Sequence, residues 1–459
     1  MLANPIQLTD KLLKHTTSRC PVCHAACPAE VWRQGGMPAQ VWLRRTCPEH
    51  GEARVCIASE ARFYWLSKGR TGGTGQACCA ADGSIAGTLG RNAAPGEALG
   101  LMEKLSTCLA LIEIVNSCNL ACPTCFADSP VGTGTKLDAV PFADIKHRIQ
   151  GVLDRKGKIE ILQLSGGEPT LHPQFFELLR WLHSNPLIDY VLLNTNGVRI
   201  ANDDTFVAEL ATTFRYGKCQ LYLQFDGPQE AGQKGLRGAD LRATRERCLE
   251  RCGKMKLPVT LAMTVTPENL PHLWAAVDFG LRWPIVRGLA FQPLFTSGRV
   301  PGQPGPDVGA LRRLNTADII LATVGQSGGK LRFEDFTPLP CGDPNCATIG
   351  YLLKVGGEIR SVSDFIDFKS VQGFLGTKIR YKLEDLMKCG CESEPLGRLL
   401  KDFELDESHT FRLFIKPFMD AATWDDDRID RCCTHVIRPD GKLDSFCRYY
   451  SGFADCGAK

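Results

Sequence analysis

The sequence predicts an α/β protein built on a parallel sheet, a partial (β/α)6 barrel, and three observations predict it. Short apolar runs alternate with amphipathic helical stretches from residue 109 to about 296, the pattern of repeated strand–helix units. Polar motifs stand where those apolar runs end, which is where active groups sit in barrels of parallel strands. Twenty-two cysteines occur in 459 residues, grouped before, within and after the alternating stretch.

Bulk properties narrow the function. A chain of 459 residues has room for two or three domains of roughly 150 residues each. Hydrophobic residues make up 44% and charged residues 23%, and the net charge is +3, too near balance to hold nucleic acid by bulk electrostatics. The longest apolar runs are strand-sized, short of the roughly 18 residues of a membrane-spanning helix. The first residues, MLANPIQLTDKLLKHTTS, carry no apolar core followed by a cleavage site, so a cytoplasmic, reducing location is expected. Cysteines in such a chain read as metal ligands rather than disulfides.

Residues 1–70 form the first expected unit. Cys20-Pro21-Val22-Cys23 and Cys47-Pro48-Glu49-His50 are two knuckles separated by strand-like residues. Each knuckle gives two ligands to one tetrahedral ion, a zinc-ribbon or rubredoxin-like module with Cys20, Cys23, Cys47 and His50. Cys27 competes for the fourth place. Zinc and iron both accept such a site. Residues 71–108 are a Gly/Ala-rich connector in which Cys78-Cys79, with Cys108, stand as further ligand candidates.

Residues 109–296 form the core. The strands are expected at Leu109–Val115, Ile159–Leu164, Tyr190–Asn194, Gln220–Phe225, Val259–Val265 and Gly288–Leu294. A helix from Pro141 to Asp154 carries Phe142, Ile145, Ile149 and Val152 on one stripe. The first strand runs into Cys118-Asn119-Leu120-Ala121-Cys122-Pro123-Thr124-Cys125-Phe126. Thiolates at this spacing wrap one corner of a [4Fe-4S] cluster and leave its fourth iron open. The second strand ends in Gly166-Gly167-Glu168-Pro169, where glycines admit close backbone approach and Glu168 offers a carboxylate to a cation. Asn194 and Asn196 end the third strand, as ribose or carboxylate ligands or as an ordinary Asn-Gly turn. Gln224 and Asp226 end the fourth, suited to ribose hydroxyls, and Gln292 ends the sixth as a pocket polar group. Cys248 and Cys252, one helical turn apart, read as packing residues.

Residues 297–459 form the last unit, after the Pro/Gly-rich stretch 297–309. Pro439-Asp440-Gly441 reads as a hairpin turn that carries Cys432 or Cys433 towards Cys447. With Cys341 and Cys346 these make four thiolates, enough for an auxiliary [4Fe-4S] cluster. Cys389 and Cys391 are unassigned.

The Cys118–Cys125 spacing and the Gly-Gly-Glu-Pro element resemble the radical S-adenosylmethionine (radical SAM) superfamily. The knuckles and the tail IKPFMDAATWDDDRIDRCCTHVIRPDGKLDSFCRYYSGF are similar to the branch that includes archaeal tetraether lipid synthase and dihydropterin methyltransferase-like proteins. The resemblance implies that Cys118, Cys122 and Cys125 hold the cluster and that its open iron chelates SAM. Gly166, Gly167, Glu168, Asn194, Asn196, Gln224, Asp226 and Phe126 are then the SAM contacts, Phe126 standing in for the aromatic residue that commonly precedes the third cysteine, where this chain has Thr124. It implies cleavage of SAM to a 5′-deoxyadenosyl radical, with C–C bond formation or methylation at an sp3 carbon of a lipid or pterin-like substrate. A reductant such as ferredoxin or flavodoxin would supply the electron. A lipid substrate would also bring contact with a membrane surface. Competing readings are a peptide-modifying enzyme of the same superfamily and a non-catalytic iron–sulfur carrier.

Overall fold

The computed structural model describes residues 9–65, 107–300, 313–338, 342–355, 358–361, 364 and 409–452. Cys78, Cys79, Cys341, Cys389 and Cys391, and most of the 71–108 connector, lie outside the described residues.

Strands β1 (Lys11–Arg19), β2 (Ala26–Gln34), β3 (Gln40–Cys47) and β4 (Gly51–Ala58) form an antiparallel meander in that order. Period-two alternation builds it: Ala29, Val31, Val41 and Leu43 are buried on one face. Trp32 faces Trp42 across the β2/β3 ladder, with Arg44 and Arg54 over their rings. The β1/β2 and β3/β4 turns lie at the same end of the meander, and each carries one knuckle.

The second sheet holds the alternating units. They are β5 (Leu109–Val115), α1 (Phe142–Lys156), β6 (Ile159–Gly166), α2 (Phe175–Ser184), β7 (Ile188–Thr195), α3 (Val198–Asn202) and α4 (Asp204–Thr213). There follow β8 (Cys219–Gln224), α5 (Gln233–Arg237), α6 (Arg242–Met255), β9 (Val259–Val265), α7 (Leu273–Leu281), β10 (Val286–Pro293) and α8 (Thr316–Gln326). Helix α1 shows the local logic: Ile145, Ile149, Val152 and Leu153 are buried, and Gly157 caps its end at φ +76. Strands β5 to β10 pair in sequence order, each parallel to the next.

The parallel run is longer than the six strands expected. From the last part of the chain come β11 (Thr337–Pro338), β12 (Thr348–Val355), β13 (Glu358–Ser361), β14 (Thr410–Ile415), α9 (Asp426–Ile429), β15 (Thr434–Ile437), β16 (Leu443–Ser445) and α10 (Phe446–Ser451). β14 pairs parallel with β10, and β15 pairs parallel with β5. Without them both edges of the core would present unpaired backbone groups. Lys416, just past β14, donates to Thr434 Oγ1 at the start of β15 at 2.5 Å, a side-chain link between the two added strands. The expected hairpin is present, with Ile437 opposite Leu443 around Pro439-Asp440-Gly441.

The outward positions of these strands, such as Leu164, Leu193, Leu223, Leu261 and Phe291, are fully buried under the helices. The inward positions are different. Glu113, Gln163, Asn194, Tyr222, Gln224 and Gln292 share the inner face by register and are only half-buried. Since helices cover the outside, that exposure is to the interior, where these polar groups alternate with apolar ones such as Leu192, Ala262 and Ala290. The meander packs on the chain between β14 and β15: Lys14 pairs with Asp425 at 2.7 Å, and Arg45 donates to the Ala422 carbonyl at 2.6 Å.

Candidate active site and metal centres

The cysteine loop leaves the C-terminal end of β5 and is held from several sides. Cys118 N–H donates to Pro130 O at 2.8 Å, and Gly132 N–H returns to Cys118 O at 2.9 Å. Cys125 and Arg299 exchange backbone hydrogen bonds of 2.8 and 2.9 Å. The Arg299 side chain donates to the carbonyls of Cys122 and Ser129, each at 2.9 Å. Cys118, Cys122 and Cys125 are close enough for their charges to oppose one another. Burial, the Glu168 charge and the two other thiols push Cys118 up to about 12. Burial also raises Cys122. A cationic iron cluster bound to these thiols would turn that preference round, and three thiols on one loop leave one iron of such a cluster open. The donor set therefore fits a [4Fe-4S] cluster with one open iron.

The Gly-Gly-Glu-Pro turn lies directly against this loop. Gly167 N–H donates to Val115 O at 2.7 Å and Glu168 N–H to Ser117 O at 3.1 Å. A Cβ on Gly166 would lie 2.1 Å from Val115 O, so the glycines serve backbone packing against the cysteine loop. The Glu168 carboxylate is buried and accepts from Thr170 Oγ1 at 2.6 Å, Thr195 Oγ1 at 2.7 Å and Asn196 N at 2.8 Å. Burial raises its pKa against those bonds. Its side chain staples β6 to β7.

The other expected SAM contacts divide. Asn196 Nδ2 donates to Asn119 Oδ1 at 2.7 Å and lies 3.8 Å from Cys118 Sγ, so the third strand end also reaches the loop. Asn194 bonds Ser165 Oγ at 3.2 Å on the inner face. Gln292 donates to Tyr222 OH at 2.8 Å across the lumen wall. Gln224 donates to Asp226 at 2.8 Å. Asp226, read from sequence as a ribose ligand, is wholly buried and gives both oxygens to Arg237, at 2.6 and 3.0 Å. Burial opposes its ionisation, but the Arg237 and Arg245 charges hold it below the usual carboxylate range. Arg237 in turn hydrogen-bonds Cys122 and favours its thiolate. Phe126, read as the adenine contact, packs edge-on against Tyr450 at 4.8 Å and tilted against Phe446 at 5.5 Å. Its ring faces α10.

At the meander's turns the ligand atoms of Cys20, Cys23, Cys47 and His50 all lie within 4.8 Å of one another. Cys47 Sγ is 3.6 Å from His50 Nδ1, and that hydrogen bond holds Cys47 down at about 6. Cys27 is buried beside Cys20 and Cys47 but turns its thiol to Ala25 O at 3.3 Å. The four-ligand set fits one tetrahedral zinc or iron ion.

The matches to known families agree with both centres. Residues 112–280 match the Radical SAM superfamily, and residues 12–59 match the HMPTM N-terminal zinc ribbon domain. Residues 112–280 are a radical SAM domain. As a radical SAM enzyme the chain is 27% identical over 501 residues to 7,8-dihydro-6-hydroxymethylpterin dimethyltransferase of Methanocaldococcus jannaschii, covering 95% of this chain and 93% of that protein. It is also 34% identical over 87 residues to GTP 3′,8-cyclase of Chlorobaculum tepidum, covering 19% of this chain and 25% of the cyclase. Among solved structures, Streptococcus suis SuiB matches at 16% identity and TM-score 0.35, covering 43% of this chain and 42% of SuiB. No helix among the described residues is long and apolar enough to cross a membrane.

A second group of thiols in this radical SAM enzyme gathers Cys346, before β12, with Cys432 and Cys433, before β15, and Cys447 on α10. Burial and the charges of Cys433, Cys447 and Cys346 raise Cys432 well above its ordinary value. Cys447, raised by burial to about 11, accepts from Met419 N at 3.3 Å. Cys248 and Cys252 are buried in the core on α6, as packing residues. Sequence reading passed over Arg237, Arg299 and Asn119. Only Asn119, inside the cysteine motif, carried a positional signal. The arginines are joined to the loop by tertiary folding alone.

Proposed function

We propose that this enzyme methylates a pterin-like heterocycle, with Cys118, Cys122 and Cys125 holding the SAM-binding cluster. The observation that carries the reading is the inner face of the barrel. Gln163, Asn194, Tyr222, Gln224 and Gln292 set hydrogen-bonding groups among apolar residues on that face, and a long alkyl chain would make no use of them. A small polar ring can pair with them instead. The dimethyltransferase relative, matched across nearly its whole length, supports the same substrate class. The lipid alternative finds no such support.

When bound, the cluster and SAM supply radical chemistry at an unactivated C–H bond. This chain's residues provide placement. Arg299 and the Gly-Gly-Glu-Pro turn fix the cysteine loop, and Arg237 stabilises charge on Cys122. Asn194, Tyr222 and Gln292 present hydrogen-bonding groups to the lumen. Cys341, Cys346 and Cys447, with Cys432 or Cys433, would be the ligands of an auxiliary [4Fe-4S] cluster, and a ferredoxin- or flavodoxin-like protein would be the electron donor.

Anaerobic reconstitution with iron and sulfide, then dithionite, SAM and 7,8-dihydro-6-hydroxymethylpterin, tests the proposal. Release of 5′-deoxyadenosine and a methylated pterin, both abolished in Cys122→Ala, is the expected result. SAM cleavage that the pterin neither accelerates nor couples to a methylated product overturns the substrate reading.

A further inference from the structure

Among the described residues, Glu113 is the acidic side chain on the inner face of β5 to β10. It stands opposite Ser165 in the β5/β6 ladder, two residues before Val115, whose carbonyl anchors the Gly-Gly-Glu-Pro turn. Two phenols orient it: Tyr450 OH donates to Oε1 at 2.8 Å and Tyr449 OH to Oε2 at 3.1 Å. Burial and the Glu113 charge raise both phenols, which keeps them donors. Tyr450 also packs edge-on against Phe126, next to Cys125. The carboxylate is thus held on the cluster side of the inner face, only partly buried, where its neighbours by register are neutral amides and hydroxyls together with apolar residues such as Leu111 and Leu192.

A single carboxylate fixed in this way selects for a ligand edge that offers two adjacent N–H donors. Carboxylates pair with such edges through parallel hydrogen bonds, as they do with guanidinium. A pterin ring has one such edge, its 2-amino group beside the ring N–H. We infer, resting on the heterocyclic substrate proposed above, that Glu113 is the specificity-determining residue: oriented by Tyr449 and Tyr450, it binds that edge and sets which end of the ring faces the cluster. The neutral amides around the lumen cannot replace it, since each offers one acceptor beside a donor.

The test is equilibrium binding to the anaerobically reconstituted enzyme of two probes. One is 7,8-dihydro-6-hydroxymethylpterin. The other is the matching dihydrolumazine, in which an oxygen replaces the 2-amino group and meets the carboxylate acceptor to acceptor. Wild type should prefer the pterin by about tenfold or more, and Glu113→Gln should reduce that preference to about twofold or less. The ratio of the two constants does not depend on how much of a preparation is folded. Glu113→Asp keeps the charge but withdraws it by one methylene, and its ratio should lie between the two. That variant carries the test where the glutamine variant does not fold. A wild-type ratio in Glu113→Gln, or in Glu113→Asp, overturns the assignment of Glu113 alone. A wild-type enzyme that binds neither probe overturns the pterin reading itself.

Discussion

Gly167 stands so close to Ser117 that a methyl group on it would lie 2.0 Å from the Ser117 carbonyl oxygen. The approach is not incidental, because Gly167 and Glu168 both donate backbone hydrogen bonds into the strand end that launches the cysteine loop. The two motifs behave as one rigid piece. A ligand held by the turn and a cluster held by the loop share a common frame.

Gly167→Ala is therefore expected to push the loop from its place. Displacement of about 1 Å at a reacting centre costs on the order of a hundredfold in rate. SAM cleavage should fall by about that factor, and reconstituted iron content should drop with it. The check is 5′-deoxyadenosine release beside iron analysis. Normal values in both would show that the loop tolerates the turn's retreat.

Asp226→Asn tests the pair behind the cluster loop. The change leaves Arg237 and the buried Arg245 without their counter-charge, and breaking such a pair costs about 3–5 kcal/mol. Because the folded pKa of Asp226 is depressed, its contribution is present above the unfolded value of about 3.9 and is lost as pH falls through the folded one. The penalty should thus be constant near neutrality and shrink only in strong acid. Denaturant unfolding of both proteins measures it, and a difference under about 1 kcal/mol at neutral pH would contradict the pairing.

The sequence was most readable where periodicity and spacing are local. Alternation located β5 to β10 to within a few residues, and the knuckle spacing named the four ribbon ligands that the fold brings together. It was least readable where distant segments meet. Nothing in FRLFI or THVI announces that they cover opposite edges of one sheet, since a short apolar run looks alike wherever it pairs. The same limit hid the protein partners of Asp226 and Phe126. A polar or aromatic residue at a strand end suggests a ligand, but Arg237 and α10, which take those two side chains, lie far along the chain. Glu113 was hidden by its setting inside an apolar run, where only the register shows that it faces inward.

Removal of the ribbon's metal should weaken more than the ribbon. Lys14, Thr16 and Arg45 tie the meander to residues 422–425, on the segment that links β14 to β15 and carries Cys432 and Cys433. Cys47→Ser should lose about one metal ion per chain and lower stability by several kcal/mol, since binding energy at such a site is folding energy. Cys27→Ser should keep the ion, because its thiol points to Ala25 O. Elemental analysis with thermal unfolding separates the two variants. Loss of the ion in Cys27→Ser would move the fourth ligand from His50 to Cys27.

His172 makes acid stability a probe of the turn after Pro169. Its Nδ1 accepts from Gln174 N at 3.1 Å, so the ring proton sits on Nε2 and is donated to Val140 O at 2.9 Å. Burial pushes its pKa below the ordinary value, and a proton added at Nδ1 would break the Gln174 bond. Above the unfolded pKa of about 6.5 the group is neutral in both states and adds no pH dependence. As pH falls below that value the unfolded chain takes a proton that the folded one refuses. Stability then drops with a slope approaching about 1.4 kcal/mol per pH unit until the folded pKa is reached. His172→Gln should flatten that slope as pH falls below about 6.5, seen as a smaller shift of the denaturant midpoint than in wild type. An equal shift in both proteins would mean that His172 carries the same charge folded and unfolded, and the tautomer read from the Gln174 bond would be wrong.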